Sequence, residues 1–446
     1  MDSTLALLTQ WMPRQRWFTS GESAPRPRIL ADRMLPASDP NARVRLLVIA
    51  DDARTPAIVY QVPVVRRPRS ATTATASGVI GAMDAVDVLV DGPHDPAYTD
   101  ALWRSLADAP SGAPPAAPPD TPPAASPGAA AEVLAGEQSN TSIIFRPPGA
   151  APVICKVFRQ VNPGLNPDIE LQTALAGAGS RHVPAVIGRL DGEWSDPGDA
   201  ATTIAGSLAF AQEFLPGVED AWRVALRAAA GQADFAEPAE ALGRATADVH
   251  RDLARLFPTL AADGAAHAAI TGAWRRRLAT AVAEVPSLAR HREAIERRYV
   301  AAASRPWPAL QRVHGDYHLG QVLQTPGRGW IILDFEGEPM RPIAERRAPD
   351  LALRDIAGML RSFDYVAGSL ARDRPADAAA ADAWAHSARA AFLRGYADAA
   401  GIDDADDPLR DALELDKAVY EAIYETRHRP DWVAIPLRAI ERLVTR

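Results

Sequence analysis

From Pro110 to Pro127 the chain reads PSGAPPAAPPDTPPAASP, a run that no regular element accommodates. Proline fixes φ and lacks the N–H that helices and sheets use, so such a run favours extended, solvated chain. The 446 residues must therefore build their cores on either side of it, and 107–130 reads as a linker or surface excursion. Upstream, VRLLVIA (44–50) and PAIVYQVPVV (56–65) flank the charged turn DDARTP and predict a β-hairpin. VDVLVDG predicts another strand, and DPAYTDALWRSLADA, with Tyr98, Leu102 and Leu106 at helical spacing, predicts a helix. Residues 1–106 thus read as a separate α+β cap subdomain.

Downstream, SIIFRP (142–147) and PVICKVF (152–158) predict a second hairpin, DIELQTALAGAG a helix ending at glycine, and TIAGSLAFAQEFLPG a strand with a sharp exit. Residues 131–216 form a β-rich part. From about 219 the pattern changes to long alanine- and leucine-rich helices such as EPAEALGRATADVHRDLARLF. Residues 217–446 therefore read as a mainly helical lobe, interrupted only by VHGDYHLGQVL and GWIILDFE. The expected class is α+β and two-lobed, with no internal repeat.

A composition of 47% hydrophobic and 23% charged residues is that of a globular protein. The net charge of -8 argues against nucleic acid or an anionic membrane as partner, because both require a cationic surface. The single cysteine, Cys155, has no intramolecular partner and sits in the apolar run VICKVF, which fits a reducing, cytoplasmic setting. MDSTLALLTQWMPRQRW places acid before base and has no long apolar run, unlike a signal peptide, and no later segment approaches a membrane-spanning length.

The stretch VHGDYHLGQVL (313–323) sets His314, Asp316, His318 and Gln321 among apolar residues. Polar groups in an apolar frame cost desolvation energy unless they are satisfied or perform chemistry. Gln321 follows Asp316 by five residues, and Asp334 follows it by eighteen, at the end of the apolar strand WIILDFE. The order is similar to that of protein kinases, in which an aspartate positions the attacking hydroxyl while an amide oxygen and a second aspartate bind magnesium. Phosphoryl transfer needs those parts, since the protein supplies mainly positioning and positive charge. Asp316 is the candidate catalytic residue, and Gln321 and Asp334 are candidate oxygen ligands for magnesium. Glu336 reaches a second metal or is simply solvated. His314 buttresses the loop, and His318 faces substrate or packs.

The upstream half agrees in order. Lys156, in the strand ICKVF, is placed to reach nucleotide phosphates, and Glu170 on the following helix to pair with it. The bland readings are a snorkelling edge lysine and a solvated glutamate. AGEQSNTSIIF offers Gly136, Ser139, Asn140 and Thr141 on a turn between strands, a phosphate-covering loop or merely a turn. Gln212, Glu213 and Phe214 in AQEFLPG are placed to meet adenine through backbone donors and acceptors.

With these residues in view, the chain resembles the actinobacterial maltokinase-like sugar kinases of the aminoglycoside-phosphotransferase and protein-kinase-like superfamily. WMPRQRWF (11–18) and DGPHDPAY (91–98) look like the cap; HGDYHLGQVL and ILDFEGEP like the catalytic and metal motifs; YEAIYETRHRPDW (420–432) like the C-terminal substrate segment. The resemblance implies an ATP-dependent carbohydrate kinase with a small-molecule sugar as partner and ATP and magnesium as cofactors. It also implies Asp316 as base, Gln321 and Asp334 as magnesium ligands, and Lys156 on the phosphates. Protein kinases carry asparagine where Gln321 stands, although its amide oxygen still ligates metal.

The sequence is also similar to the glucosamine kinase branch. RWFTSGESAPRPRI lacks the continuation typical of maltokinases, which also lack the proline-rich insertion. Tyr420 and Tyr424, and likewise Glu421 and Glu425, stand at i and i+4 on one predicted helix, a stripe of aromatics beside a stripe of carboxylates. Aromatics stack on sugar faces, and carboxylates accept from hydroxyls or, more strongly, from an aminium. Asp431 and Trp432 follow the helix-ending proline and are placed to close the same pocket. Alternatively Arg427 and Arg429 pair with the glutamates as a surface network. The expected reaction is phosphorylation of glucosamine to glucosamine 6-phosphate, with maltose to maltose 1-phosphate as the rival. A metallophosphoesterase would need further histidine-rich ligand clusters. An inactive nucleotide-binding scaffold would have lost a key group, and none of the candidates is missing.

Overall fold

A computed structural model of the chain describes residues 3–19, 24–72, 74, 78–108, 128–134, 139–338, 341–402 and 407–445. The proline-rich run 109–127 and Gly136 lie outside the described residues. The chain divides into two compact units, residues 1–173 with 184–216 and residues 174–183 with 217–446.

The first unit is built on two antiparallel sheets. One contains β1 (Pro27–Leu35), β2 (Arg43–Asp51), β3 (Ile58–Pro68), β4 (Val79–Ala82) and β5 (Asp87–Asp91), in the order β1-β2-β3-β5-β4. The expected hairpin is β2–β3, with Val44 opposite Val65 and Asp51 opposite Ile58. Alternation along β2 sends side chains to opposite faces. Val44, Leu46 and Val48 join a core with Tyr98, Leu102 and Leu106 of the helix Pro96–Asp108, whereas Leu47 and Ile49 meet Leu8, Trp11 and Trp17 near the N-terminus. Both faces are covered, which is why β2 reads as an almost unbroken apolar run.

The second sheet contains β6 (Ala130–Val133), β7 (Asn140–Arg146), β8 (Val153–Phe158), β9 (Val186–Ser195) and β10 (Thr203–Glu213), in the order β6-β7-β8-β10-β9. Although 107–130 separates the two sheets in sequence, they share a unit. The buried Gln61 side chain donates to the carbonyls of Phe158 (3.0 Å) and Leu208 (2.9 Å). Arg159 grips Asp91 through two bonds of 2.9 and 2.7 Å, with both side chains buried. A bidentate guanidinium–carboxylate pair is the geometry that best repays such desolvation.

The second unit is mainly helical, with a small sheet of β11 (Glu219–Asp220), β12 (Val322–Thr325) and β13 (Gly329–Ile332). Its principal helices include Ala236–Leu256, Leu353–Asp373, Ala378–Ala400 and Pro408–His428. Trp274, Leu278, Leu413, Val419 and Ile440 lie in its apolar core. The class is α+β, as the sequence pattern indicated. Among the described residues no helix is long and apolar enough to cross a membrane.

Candidate active site

The HGD loop enters β12 and is held from beneath. Asp355, in the first turn of the helix Leu353–Asp373, accepts the backbone N–H of His314 at 2.8 Å and of Gly315 at 2.9 Å, and lies 3.0 Å from His250 Nε2. Burial opposes the charge on Asp355, but His250, His314 and the Gly315 amide outweigh it and hold the carboxyl below its ordinary value. His314 Nε2 meets the Leu333 carbonyl at 2.8 Å, while Nδ1 faces the Asp316 N–H at 3.3 Å. The tautomer that satisfies both carries its proton on Nε2, so His314 ties the loop to the strand that follows. Two glycines permit this approach. Gly315 has φ +85°, and a Cβ on Gly358 would stand 2.5 Å from the Tyr317 carbonyl oxygen.

Gln321 and Asp334 come together as their order suggested. The Gln321 side-chain amide donates to Asp334 Oδ2 at 3.0 Å, and the Leu333 N–H donates to the Gln321 carbonyl at 2.9 Å. Asp334 adopts φ +63°, a left-handed conformation that aspartate tolerates better than most residues and that turns the chain sharply after β13. Glu336, half-buried, follows on the same turn, and its carbonyl accepts from Arg346 at 3.3 Å. Carboxylate and amide oxygens are the donors that a hard divalent cation prefers, so this set fits magnesium.

Asp316 lines a polar pocket together with Arg277, Glu338, Arg354, Lys417 and Tyr420. Lys417 Nζ is paired with Glu338 Oε1 and lies 3.8 Å from Asp316 Oδ1. Arg354 also reaches Glu338, at 3.2 Å. Burial raises the pKa of the Glu338 carboxyl, but Lys417 and Arg354 win and bring it to about 2. Burial likewise opposes the Lys417 charge, and Glu338 and Asp316 overcome it, holding the ammonium above the ordinary lysine value. His318 accepts the Gly320 N–H at 3.0 Å on Nδ1, and burial pushes its imidazole below the ordinary value against the pull of Asp316.

The C-terminal segment is only partly placed as the sequence suggested. Tyr420 reaches the Asp316 pocket, and Tyr424 stacks on it with ring centroids 6.5 Å apart. Glu421 is bound by buried Arg361 at 2.8 Å. Glu425 accepts from Tyr365 at 2.8 Å and from Arg429 at 2.6 Å. Trp432 stacks on Tyr365 with centroids 6.3 Å apart and carries Arg372 at 4.1 Å, while Asp431 is exposed beside it. Both glutamates thus have protein partners. Arg427 pairs with Glu284 rather than with either glutamate. Lys417, Glu338, Asp416, Arg277 and Arg354 were not anticipated. The signal for Lys417 was its position one turn ahead of Tyr420 on the same helix face, which otherwise reads as a solvated charge.

In the first unit, Lys156 projects from β8 to Asp168 Oδ2 at 3.0 Å. Asp168, buried two residues ahead of Glu170 on the same helix, is thus a partner of Lys156 that the sequence pattern did not mark. Ser139 and Asn140 lead into β7, and Thr141 Oγ1 accepts from Arg159 at 2.8 Å. Gln212 accepts from Gln172 at 2.5 Å. The Glu213 and Phe214 amides donate to the carbonyls of Ala185 (2.9 Å) and Pro152 (3.0 Å). Their expected use as adenine donors is therefore corrected, because the sheet already takes both hydrogens.

Residues 11–95 match the maltokinase N-terminal cap domain, and residues 130–413 match the phosphotransferase enzyme family. The chain is 32% identical over 326 residues to a glucosamine kinase of Streptacidiphilus jiangxiensis, covering 67% of this chain and 70% of the relative. It is 33% identical over 328 residues to a glucosamine kinase of Mycolicibacterium smegmatis, covering 69% and 78%. A solved glucosamine kinase in crystal form B superposes with a TM-score of 0.70 at 24% identity, over 98% of this chain and 99% of the other. Another, in complex with glucosamine, ADP and inorganic phosphate, superposes at 0.67 and 24%, over 98% of both chains. These two likenesses show the kinase-like fold. With the family match running from 130 to 413, the chain belongs to the phosphotransferase enzyme family and carries a maltokinase-type cap domain ahead of the phosphotransferase region.

Proposed function

We propose that the protein is an ATP-dependent glucosamine kinase that transfers the terminal phosphoryl group of ATP directly to the 6-hydroxyl of glucosamine. The observation that carries this reading is Asp316, which lines a polar pocket from a loop whose next residues lead to the Gln321–Asp334 pair. Glucosamine kinase is also what the relatives above are named for.

Asp316 orients the acceptor hydroxyl and takes its proton late, because a loose transition state asks for little early deprotonation. Gln321 and Asp334, with Glu336 beside them, would hold magnesium, which would neutralise phosphate charge. Lys156, oriented by Asp168, is assigned to the nucleotide phosphates, with Ser139, Asn140 and Thr141 beside them. Gln212, Glu213 and Phe214 are assigned to the adenine through carbonyls and side chains. Tyr420 and His318 contact the sugar, and Tyr424, Glu421, Glu425, Asp431 and Trp432 shape the segment behind it. The division that goes with these roles is a cap at 1–106, an insertion at 107–130, a nucleotide-binding part at 131–216 and a helical lobe at 217–446.

One observation favours a second reading, maltose as acceptor. The cations Arg277, Arg354 and Lys417 balance Asp316, Glu338 and Asp416 around the pocket, so it does not demand a cationic sugar, and the cap match is of the maltokinase type. Incubating the purified protein with ATP, magnesium and each sugar separately decides between them. Turnover of glucosamine is expected, and turnover of maltose alone would refute the choice.

A further inference from the structure

Lys417 belongs to the helix Pro408–His428 and is not a mobile surface lysine. Its side chain is 23% exposed, its ammonium is paired with Glu338 and stands 3.8 Å from Asp316 Oδ1, and it lies 5.2 Å from the centre of the Tyr420 ring. Glu338 is itself fixed, since Arg354 reaches it at 3.2 Å. The cation is thus suspended between a permanently paired carboxylate on one side and the candidate base on the other. A rotatable carboxylate presents either oxygen to an incoming hydroxyl. A cation on one oxygen removes that freedom, and geometry within reacting distance is what such positioning controls.

We propose that Lys417 is a positioning residue for phosphoryl transfer: anchored by Glu338, its ammonium holds Asp316 through Oδ1 and leaves Oδ2 to receive the acceptor hydroxyl. The inference rests on the reading of Asp316 given above. In the step, the acceptor oxygen forms its bond to the terminal phosphorus as the bond from that phosphorus to the ADP oxygen breaks. The electron pair leaves with ADP, and the hydroxyl proton passes to Asp316 Oδ2. Lys417 exchanges no proton and keeps its pairing with Glu338 throughout. Glu338 has a definite part in this arrangement. Without it the ammonium closes onto Asp316 as a tight pair, which withdraws the base from the acceptor.

The test is steady-state turnover of Lys417→Gln, Lys417→Arg, Glu338→Gln and the Lys417→Gln/Glu338→Gln double variant, with ATP, magnesium and glucosamine, alongside thermal unfolding. Lys417→Gln is expected to lower kcat about 100-fold while both KM values stay within about threefold. Lys417→Arg should recover roughly a tenth or more of the wild-type kcat, and the double variant should be no slower than Lys417→Gln. A purely structural role would instead shift the unfolding temperature and make the two losses multiply. If Lys417→Gln folds poorly, Lys417→Met keeps the packed stem and drops only the charge, with the same expected kcat. A neutral variant whose kcat stays within about threefold of an active wild type overturns this inference alone. A wild-type enzyme that phosphorylates no sugar overturns the reading of the reaction, and the inference with it.

Discussion

Asp355 Oδ1 accepts the backbone N–H of Gly315 at 2.9 Å, one residue ahead of Asp316. The same carboxylate holds His314 through its amide and meets His250 Nε2, so a single buried charge fixes the backbone from which the catalytic candidate projects. Replacing it by the nearly isosteric amide leaves shape but removes the charge and one acceptor.

Asp355→Asn is therefore expected to destabilise the protein by about 2–4 kcal/mol, because buried donors lose a charged partner. It should also lower kcat about 100-fold through misplacement of the loop. Urea unfolding and turnover measured on the same preparation check both. Wild-type stability with wild-type kcat would show that the loop holds its shape without this carboxylate.

Glu338 predicts a pH dependence. Its folded pKa of about 2 lies below the ordinary 4.5, so the stabilisation it provides is present above pH 4.5 and is lost as pH falls toward 2. The shift corresponds to about 3 kcal/mol when the loss is complete. Urea midpoints of the wild type should therefore fall faster between pH 5 and pH 3 than those of Glu338→Gln, which has no such group to protonate. Parallel curves would contradict the assignment.

How much of this was legible in the chain follows from which forces act locally. The β2–β3 and β7–β8 hairpins, the helix Pro96–Asp108 and the order Asp316, Gln321, Asp334 were all readable, because alternation, caps and a polar cluster in an apolar frame are short-range signals. Strands β1 and β9 were not. Pro27–Leu35 and Val186–Ser195 contain charged and exposed positions, and become strands through pairing with β2 and β10 rather than through their own pattern. Asp168 meets Lys156 across 12 residues of chain, and order along the chain alone does not mark it. Lys417 and Glu338 are 79 residues apart, and nothing local marks them as one pair beside Asp316.

Asp334→Asn separates the metal role from backbone shape, since asparagine also tolerates the left-handed conformation found there, φ +63°. The magnesium concentration for half-maximal turnover should rise roughly tenfold or more, with thermal stability little changed. Titrating magnesium at saturating ATP and sugar checks this. An unchanged magnesium requirement would move the ligand role to other residues.

The most direct measurement of the account as a whole is glucosamine-dependent ADP formation by Asp316→Asn, with ATP affinity determined on the same protein. Turnover is expected to be abolished while nucleotide affinity stays close to wild type. Turnover that survives the substitution would contradict it.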